Sequence, residues 1–285
     1  MMEASTRVGR PPPKNLQKCL ALIKKLNNDC YTYEIRTFSF QKGAHTYRSY
    51  VVYRWVISLL CLAIFVTTLG DLAKPPGFKR GAIFYLKYFI YATNHMLTLL
   101  TIQTTLGAII VTVSIYRKNG TPRVKDVRVR GIELFYWKLH GITVDAALVI
   151  AMGYWLIINN SRTFPLDGNN ILSHAVSPVI AAVDWLITGL PHNLSDAWIG
   201  WMFMICYYLF SILYWVAGGT PRPNPLEKEP KKRYIYAGCT DYTSVAKPLG
   251  CFLALTSLFS TCRVALSVGD FFIRKYRPKL QADPS

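Results

Sequence analysis

Residues 197–217, AWIGWMFMICYYLFSILYWVA, contain no charged side chain and decide the class of fold. An α-helix rises about 1.5 Å per residue, so a stretch of this length crosses the roughly 30 Å hydrocarbon core of a bilayer. Five further apolar stretches accompany it, at 51–70, 84–116, 134–158, 171–190 and 248–270. The sequence therefore predicts an all-α polytopic membrane protein, a bundle of six transmembrane helices. The second stretch exceeds one crossing, which predicts a single long helix that tilts or projects from the bilayer.

The net charge of +18 comes from Lys and Arg at the ends of the apolar stretches and between them. This pattern is typical of orientation signals and of contacts with anionic lipid head groups. No basic stripe is interleaved with base-stacking aromatic residues, so we expect no nucleic-acid partner. Lys and Arg favour the side of the membrane that holds 1–50, 117–132 and 271–285, although the loop 218–247 is also basic. We therefore expect both termini in the cytosol, in the plasma membrane or the endoplasmic reticulum.

This pattern also predicts how the chain divides. We expect a basic cytosolic N-terminal segment at 1–50, one six-helix transmembrane domain at 51–270 and a basic cytosolic tail at 271–285. Membrane lipids are the expected partners, and nothing in the sequence identifies a protein partner.

Seven cysteines are scattered without a CxxC pair, so the sequence predicts neither a disulfide framework nor a zinc site. Four of them lie inside apolar stretches, where cysteine behaves as a small hydrophobic residue: Cys61, Cys206, Cys251 and Cys262.

Ionisable side chains inside a membrane are costly and are therefore candidates for function. The predicted helices contain His95, Lys138, His140, Asp145, His174, Asp184 and Arg263. Lys138 and His140 lie near a cytosolic boundary, where snorkelling explains them. For Asp145, Asp184 and Arg263 we favour a buried ion pair or hydrogen-bond cluster that fixes helix packing, with a proton or ion pathway as the alternative. The spacing of His and Asp does not fit a metal site, and we expect no cofactor.

Two further polar residues lie at comparable depth in the non-cytosolic leaflet, Thr93 on the second helix and His174 on the fourth. His95 is turned away from Thr93 by the helical rotation. Regular helical spacing predicts two faces, Thr93, Leu97, Leu100 and Thr104 on one helix and His174, Ser177, Ala181 and Trp185 on the other. The residues alone leave three interpretations open: a threonine bonded to its own helix, a packing histidine, or a catalytic Thr–His pair.

Residues 173–219, SHAVSPVIAAVDWLITGLPHNLSDAWIGWMFMICYYLFSILYWVAGG, resemble the rolling stone proteins, which are multi-pass membrane proteins linked to myoblast fusion in insects. The resemblance covers roughly 50–270. Its most specific piece is the end of the fifth helix, FSILYWVAGG, followed later by the dipeptide Ile235–Tyr236. More distantly, the sequence is similar to the androgen-induced membrane proteins that hydrolyse fatty acid esters of hydroxy fatty acids.

The resemblance to these hydrolases implies a threonine nucleophile on an early helix and a histidine on a later one. Thr93 in FIYATNHM and His174 in ILSHAVSP occupy the matching positions. The surroundings differ, because Ala92 replaces the usual leucine and Ser177 replaces the expected asparagine. The sequence does not identify the oxyanion donors, and Asn94 and Ser177 are candidates because they lie near in the chain.

Three functions therefore follow as expectations. The first is a rolling stone-like membrane protein that hydrolyses lipid esters by an intramembrane Thr93–His174 pair. The second is a non-catalytic membrane protein of cell adhesion or myoblast fusion. The third is a transporter that uses Asp145, Asp184 and Arg263.

Overall fold

The structure is a computed structural model that describes Gln17 and residues 48–71, 81–117, 131–158, 167–188, 190, 192–222, 235–236 and 239–281. Within these residues the chain forms α-helices, short 3₁₀ and π-helical segments and no β-strand. The α-helices are α1 (Arg48–Gly70), α2 (Ala82–Leu86), α3 (Ala92–Arg117), α4 (Gly131–Gly153), α5 (Gly168–Ile171), α6 (Ser177–Thr188), α7 (Ala197–Val216) and α8 (Ala246–Gln281).

Six helical segments of the described chain are long and apolar enough to cross a membrane. They are Arg48–Gly70, Ala92–Val113, Leu134–Ile158, Gly168–Thr188, Leu194–Val216 and Ala246–Ile273. These spans confirm the predicted all-α polytopic bundle. The last helix continues to Gln281, so most of the tail predicted at 271–285 is helical and extends the sixth span. Nearly all of the predicted N-terminal segment, 1–50, lies outside the described residues.

The sequence predicted one continuous helix over the second apolar stretch, but the structure divides this stretch into two helices. Helix α2 is followed by a 3₁₀ turn, Lys87–Ile90, and Tyr91 then adopts an extended backbone with φ −95° and ψ 131°. Helix α3 begins at Ala92. The prediction was wrong because apolar composition reports burial and not the continuity of a helix. Aromatic side chains surround the break, so the segment is as apolar as an unbroken helix.

Two π-helical turns interrupt the third and fourth spans. Tyr154–Ile158 ends the third span, and Leu172–Val176 connects α5 to α6 in the fourth. A π turn places one extra residue in a helical turn, and such turns are frequent at functional sites. Both turns and the break at Tyr91 border the same two cavities, described below.

Buried apolar side chains from the first four spans form the main core, which includes Cys61, Leu97, Leu100, Ala147 and Ala181. In this core, Leu97 and Leu100 share with Thr93 and Thr104 the buried face that the sequence predicts for α3. A second cluster joins the fifth and sixth spans to the loop between them, through Ile235, Tyr236, Cys239 and Cys251. The loop therefore packs as part of the bundle.

Candidate active site

Thr93 lies in the first turn of α3, immediately after the break at Tyr91, and is 5% exposed. Other threonines of this helix donate their hydroxyls to backbone carbonyls one turn earlier, as Thr98 does to Asn94 at 2.7 Å. Thr93 lies too close to the start of the helix for a carbonyl of α3 itself to lie one turn earlier. Its neighbour is instead the phenol of Tyr236, 143 positions further along the chain.

His174 lies in the π turn of the fourth span and is 8% exposed. Its ring stacks on Tyr154 with the ring centres 3.6 Å apart and the planes 6° apart. Trp155 donates its indole N–H to the backbone carbonyl of His174 at 3.0 Å. The imidazole Nδ1 is buried and has no hydrogen-bond partner among the described residues. The ring is therefore held in one orientation with a free nitrogen.

Thr93 and His174 line the same two cavities. An apolar cavity of about 100 Å³ extends between the third, fifth and sixth spans, with Val149, Phe203, Tyr207, Leu255 and Phe259 in its wall. A polar cavity of about 200 Å³ is lined by Thr68, Asp71, Tyr91, Asn94, Asp167, Asn169, Asn170, Ser173 and Arg222. Five residues line both cavities: Thr93, Tyr154, Ile158, His174 and Tyr236. The threonine and the histidine therefore lie where an apolar space adjoins a polar one.

Tyr236 comes from the loop between the fifth and sixth spans and was not predicted as a site residue. Its hydroxyl accepts the backbone N–H of Ala92 at 3.1 Å and lies beside Thr93. Burial raises the pKa of Tyr236, and the neighbouring hydroxyls of Thr93 and Tyr207 offset part of this effect. The phenol is therefore protonated at neutral pH. The dipeptide Ile235–Tyr236, which belongs to the family resemblance, was the available signal in the sequence.

The two predicted oxyanion donors occupy different places. Asn94 lines the polar cavity, and its side-chain amide donates to the carbonyl of Tyr88 at 2.7 Å. Ser177 lines neither cavity and donates to the carbonyl of Leu172 at 2.8 Å. The π turn explains this outcome, because its extra residue rotates Ser177 away from the face that regular spacing would share with His174.

The predicted ion cluster is divided into two separate groups. In the first, Arg54 Nη1 lies 2.5 Å from Asp184 Oδ1, and both side chains are almost fully buried. The same carboxylate accepts hydrogen bonds from Tyr53 at 3.0 Å and from Gln103 at 3.2 Å. Arg54 was missed, because an arginine near the start of a span is ordinarily interpreted as a snorkelling residue.

The second group holds the predicted partners Asp145 and Arg263. Arg263 Nη1 lies 2.6 Å from Asp145 Oδ2, and His192 Nε2 lies 2.9 Å from Asp145 Oδ1. Arg263 also donates to the carbonyl of Asn193. Burial lowers the pKa of His192, partly offset by Asp145. Asp145, Asp184 and Arg263 are thus paired and line neither of the two cavities that Thr93 shares with His174.

The interpretation of His140 as a snorkelling residue was wrong. Its side chain is 1% exposed, and its Nε2 lies 3.2 Å from the hydroxyl of Thr188 and 3.5 Å from Asp184 Oδ2. Lys138 reaches the edge of the bundle and contacts Asp196 at 2.5 Å. Their positions near a span boundary did not distinguish Lys138 from His140. The direction of each side chain depends on the helices that pack against it, which the sequence does not show.

Cys239 and Cys251 form a disulfide, so the expectation that Cys251 is a free, small hydrophobic residue was wrong. The bond connects the loop that carries Tyr236 to α8. Within the loop, Thr240 Oγ1 accepts the N–H of Ile235 at 2.9 Å and of Tyr236 at 2.8 Å. The pairing was not predictable because the two cysteines are 12 positions apart in a pattern that matches no known spacing rule.

The fold and the site together define a polytopic α-helical membrane protein with a buried Thr, His and Tyr at the junction of two cavities. The family model of Protein rolling stone matches residues 19–277, and the chain belongs to this family. The fly protein "Protein rolling stone" from Drosophila melanogaster is 26% identical over 179 residues, which are 60% of this chain.

These residues cover 61% of the fly protein, so the match spans less than two thirds of that relative's length. No solved structure matches the chain. The resemblance to the rolling stone family is confirmed, whereas the distant relation to the androgen-induced hydrolases stays a prediction.

Proposed function

We propose that this protein is an intramembrane hydrolase of lipid esters, with Thr93 as the nucleophile and His174 as the general base. The single observation that carries the proposal is the position of both residues at the junction of the apolar and polar cavities. Fatty acid esters of hydroxy fatty acids are the substrate class that the resemblance implies. Such an amphiphile carries apolar chains and a polar group on either side of its ester bond, which suits two adjoining cavities of opposite polarity.

The threonine hydroxyl is a weak nucleophile at neutral pH and needs an adjacent base. In the proposed reaction the Thr93 oxygen attacks the ester carbonyl carbon, and its proton passes to the imidazole of His174. The tetrahedral adduct then collapses, and the imidazolium returns this proton to the departing alkoxide, which leaves as the alcohol. Water from the polar cavity attacks the acyl-threonine with His174 as base, which releases the fatty acid and restores the hydroxyl of Thr93.

Side chains that have no other role support this assignment. His174 Nδ1 is free to accept a proton, and the neighbouring hydroxyl of Tyr154 is also buried without a hydrogen-bond partner among the described residues. Buried polar groups normally have partners, and those that lack one in a cavity are candidates for contact with a ligand. By contrast, every acidic side chain of the two ion clusters is engaged, which fits a role in packing.

The experiment uses the full-length protein in detergent with esters of hydroxylated fatty acids. We expect Thr93→Ala and His174→Ala each to lower the hydrolysis rate by at least about 10³-fold, as removal of a nucleophile or its base does in other acyl-transfer enzymes. A serine-reactive fluorophosphonate should label the wild-type protein and fail to label Thr93→Ala.

The matched controls are Thr98→Ala and His95→Ala. Thr98 is bonded to its own helix, and His95, which lines neither cavity, contacts the carbonyl of Phe89 and the ring of Tyr207. Both controls should keep the wild-type rate. If Thr93→Ala and His174→Ala hydrolyse the ester as fast as the wild type, the proposal fails and a non-catalytic membrane protein becomes the better interpretation.

We also propose that the termini lie in the cytosol, as the distribution of Lys and Arg predicts. The disulfide supports this orientation, because disulfides persist in the oxidising compartments outside the cytosol. Cys239 and the start of α8 would then lie on the non-cytosolic side, together with the polar cavity.

A further inference from the structure

We infer that Tyr236 is a third catalytic residue, which donates its phenolic O–H to the oxyanion that forms on the ester carbonyl. This inference rests on the proposed function, since it assigns a role in the reaction of Thr93 and His174. Tyr236 is nearly buried, at 9% exposed, and lines both the apolar and the polar cavity.

The phenolic oxygen of Tyr236 is fixed in the site, and its hydrogen can rotate between neighbouring acceptors. The oxygen accepts the N–H of Ala92 at 3.1 Å, which fixes its position at the start of α3. Its remaining contacts are the hydroxyls of Thr93 and Tyr207. Tyr207 donates its own hydrogen to the carbonyl of Ile90 at 2.9 Å. The phenolic hydrogen of Tyr236 can therefore point to the oxygen of Tyr207 or to the side of Thr93, and rotation about its C–O bond turns it toward the atoms that react.

The position fits the tetrahedral adduct. When the Thr93 oxygen bonds to the carbonyl carbon, the π electron pair moves to the carbonyl oxygen, which becomes negatively charged. The threonine oxygen and the oxyanion are then bonded to the same carbon. A donor that lies beside the threonine oxygen in the resting protein is therefore close to the oxyanion in the adduct. A donor whose oxygen is fixed beside this place stabilises the transition state with little reorganisation, since only the phenolic hydrogen has to rotate. When the adduct collapses, the electron pair returns to the carbonyl and Tyr236 keeps its proton.

The loop provides the rigidity that such a donor needs. Thr240 accepts the two N–H groups of Ile235 and Tyr236, and the Cys239–Cys251 bond attaches this turn to α8. The ring of Tyr236 also packs edge-to-face against Tyr91, with centres 5.8 Å apart. Because burial raises the pKa of Tyr236, the group stays a proton donor and does not become a base at neutral pH.

The test replaces the hydroxyl alone. We expect Tyr236→Phe to lower kcat by about 10²- to 10³-fold, the usual effect of removing one oxyanion donor, and to change KM by less than about 3-fold. Fluorophosphonate labelling of Thr93 should slow to a similar extent, because negative charge also develops on the phosphoryl oxygen in the pentacoordinate transition state, before fluoride leaves. The wild-type kcat should not fall between about pH 7 and 9, since the phenol remains protonated over this range.

The matched control is Tyr88→Phe. Tyr88 is also a buried tyrosine beside a threonine, with its hydroxyl 3.0 Å from Thr68 Oγ1, and it lines neither cavity. Its variant should keep the wild-type kcat, so a loss confined to Tyr236→Phe is not a general cost of removing a buried hydroxyl. Thermal unfolding of both variants in detergent reports any difference in folding.

The outcomes separate this inference from the proposed function. If Thr93→Ala and His174→Ala are inactive but Tyr236→Phe keeps the wild-type kcat, the role of Tyr236 is wrong and the hydrolase assignment stands. A loss in Tyr236→Phe that appears in KM alone, or that equals the loss in Tyr88→Phe, also overturns it. If Thr93→Ala is fully active, the proposed function itself is wrong.

Discussion

At Asp184, one carboxylate determines whether several buried polar groups are satisfied. It accepts hydrogen bonds from Arg54, Tyr53 and Gln103. The side chains of Arg54 and Asp184 are 0% and 1% exposed. A buried ion pair adds little stability compared with an apolar pair of the same size, whereas removal of one partner leaves an uncompensated buried charge. The stability of the protein therefore depends on both partners of the ion pair being present, more than on the ion pair itself.

This contrast gives a prediction. Arg54→Met leaves Asp184 charged and without its main partner, so we expect the free energy of unfolding to fall by about 3–5 kcal/mol. The double variant Arg54→Met with Asp184→Leu removes both charges and should recover most of this loss. Thermal unfolding in detergent micelles measures both. A double variant less stable than Arg54→Met alone would show that the ion pair itself holds the helices together.

Residue-level prediction from sequence succeeded where a side chain has a clear reason to be buried. Asp145 and Arg263 lie deep in their spans, and they pair as the packing interpretation expects. Arg54 and His140 lie nearer to the ends of their spans. At such positions the sequence does not show whether a polar side chain faces water or packs inside the protein. Their true partner, Asp184, is 130 positions from Arg54 in the chain, so only the packed fold identifies it.

Among the helices, α3 approaches the side chain of Arg54 closely at Gly107. A Cβ atom at this position would lie against the guanidinium of Arg54, and within 2.8 Å of the hydroxyl of Tyr136. Helices in membranes often approach closely through small residues. At Gly107 the space that a side chain would fill is occupied by the guanidinium of Arg54, which is hydrogen-bonded to Tyr136.

We therefore expect Gly107→Ala to destabilise the protein by about 1–3 kcal/mol, the usual cost of overpacking, although alanine favours helix more than glycine. The matched control is Gly250→Ala in α8, where nothing lies within 4 Å of the added atom. This variant should be neutral or gain up to about 1 kcal/mol. Unfolding midpoints in one detergent compare the two, and equal effects would contradict the packing at Gly107.

At the scale of elements, the sequence predicted the spans well and their interruptions poorly. The third span, predicted at 134–158, has these bounds in the structure, but its last turn is π-helical. Hydropathy depends on composition, which is the same for an α turn, a π turn or an extended residue. At the break, the N–H of Ala92 finds its acceptor in Tyr236, and this partner is 144 positions away.

For the molecule as a whole, the disulfide is the feature that tests the orientation. We expect peptide mass spectrometry of protein purified from cell membranes without reductant to find Cys239 linked to Cys251. The control is the set of described free cysteines, Cys61, Cys206 and Cys262, which should be alkylated after unfolding without reductant. Alkylation of Cys239 and Cys251 under the same conditions would place their loop in a reducing compartment and contradict cytosolic termini.

The contact between Ala92 and Tyr236 also constrains the order of biosynthesis. Chains enter a membrane from the N-terminus onward, so the second span is inserted long before the ribosome has made the loop that follows the fifth. Until then, the amide of Ala92 lacks its protein partner, and backbone groups in a bilayer need one. The second span therefore reaches its mature form after translation is nearly complete, and the surroundings of Thr93 are assembled among the last parts of the newborn protein.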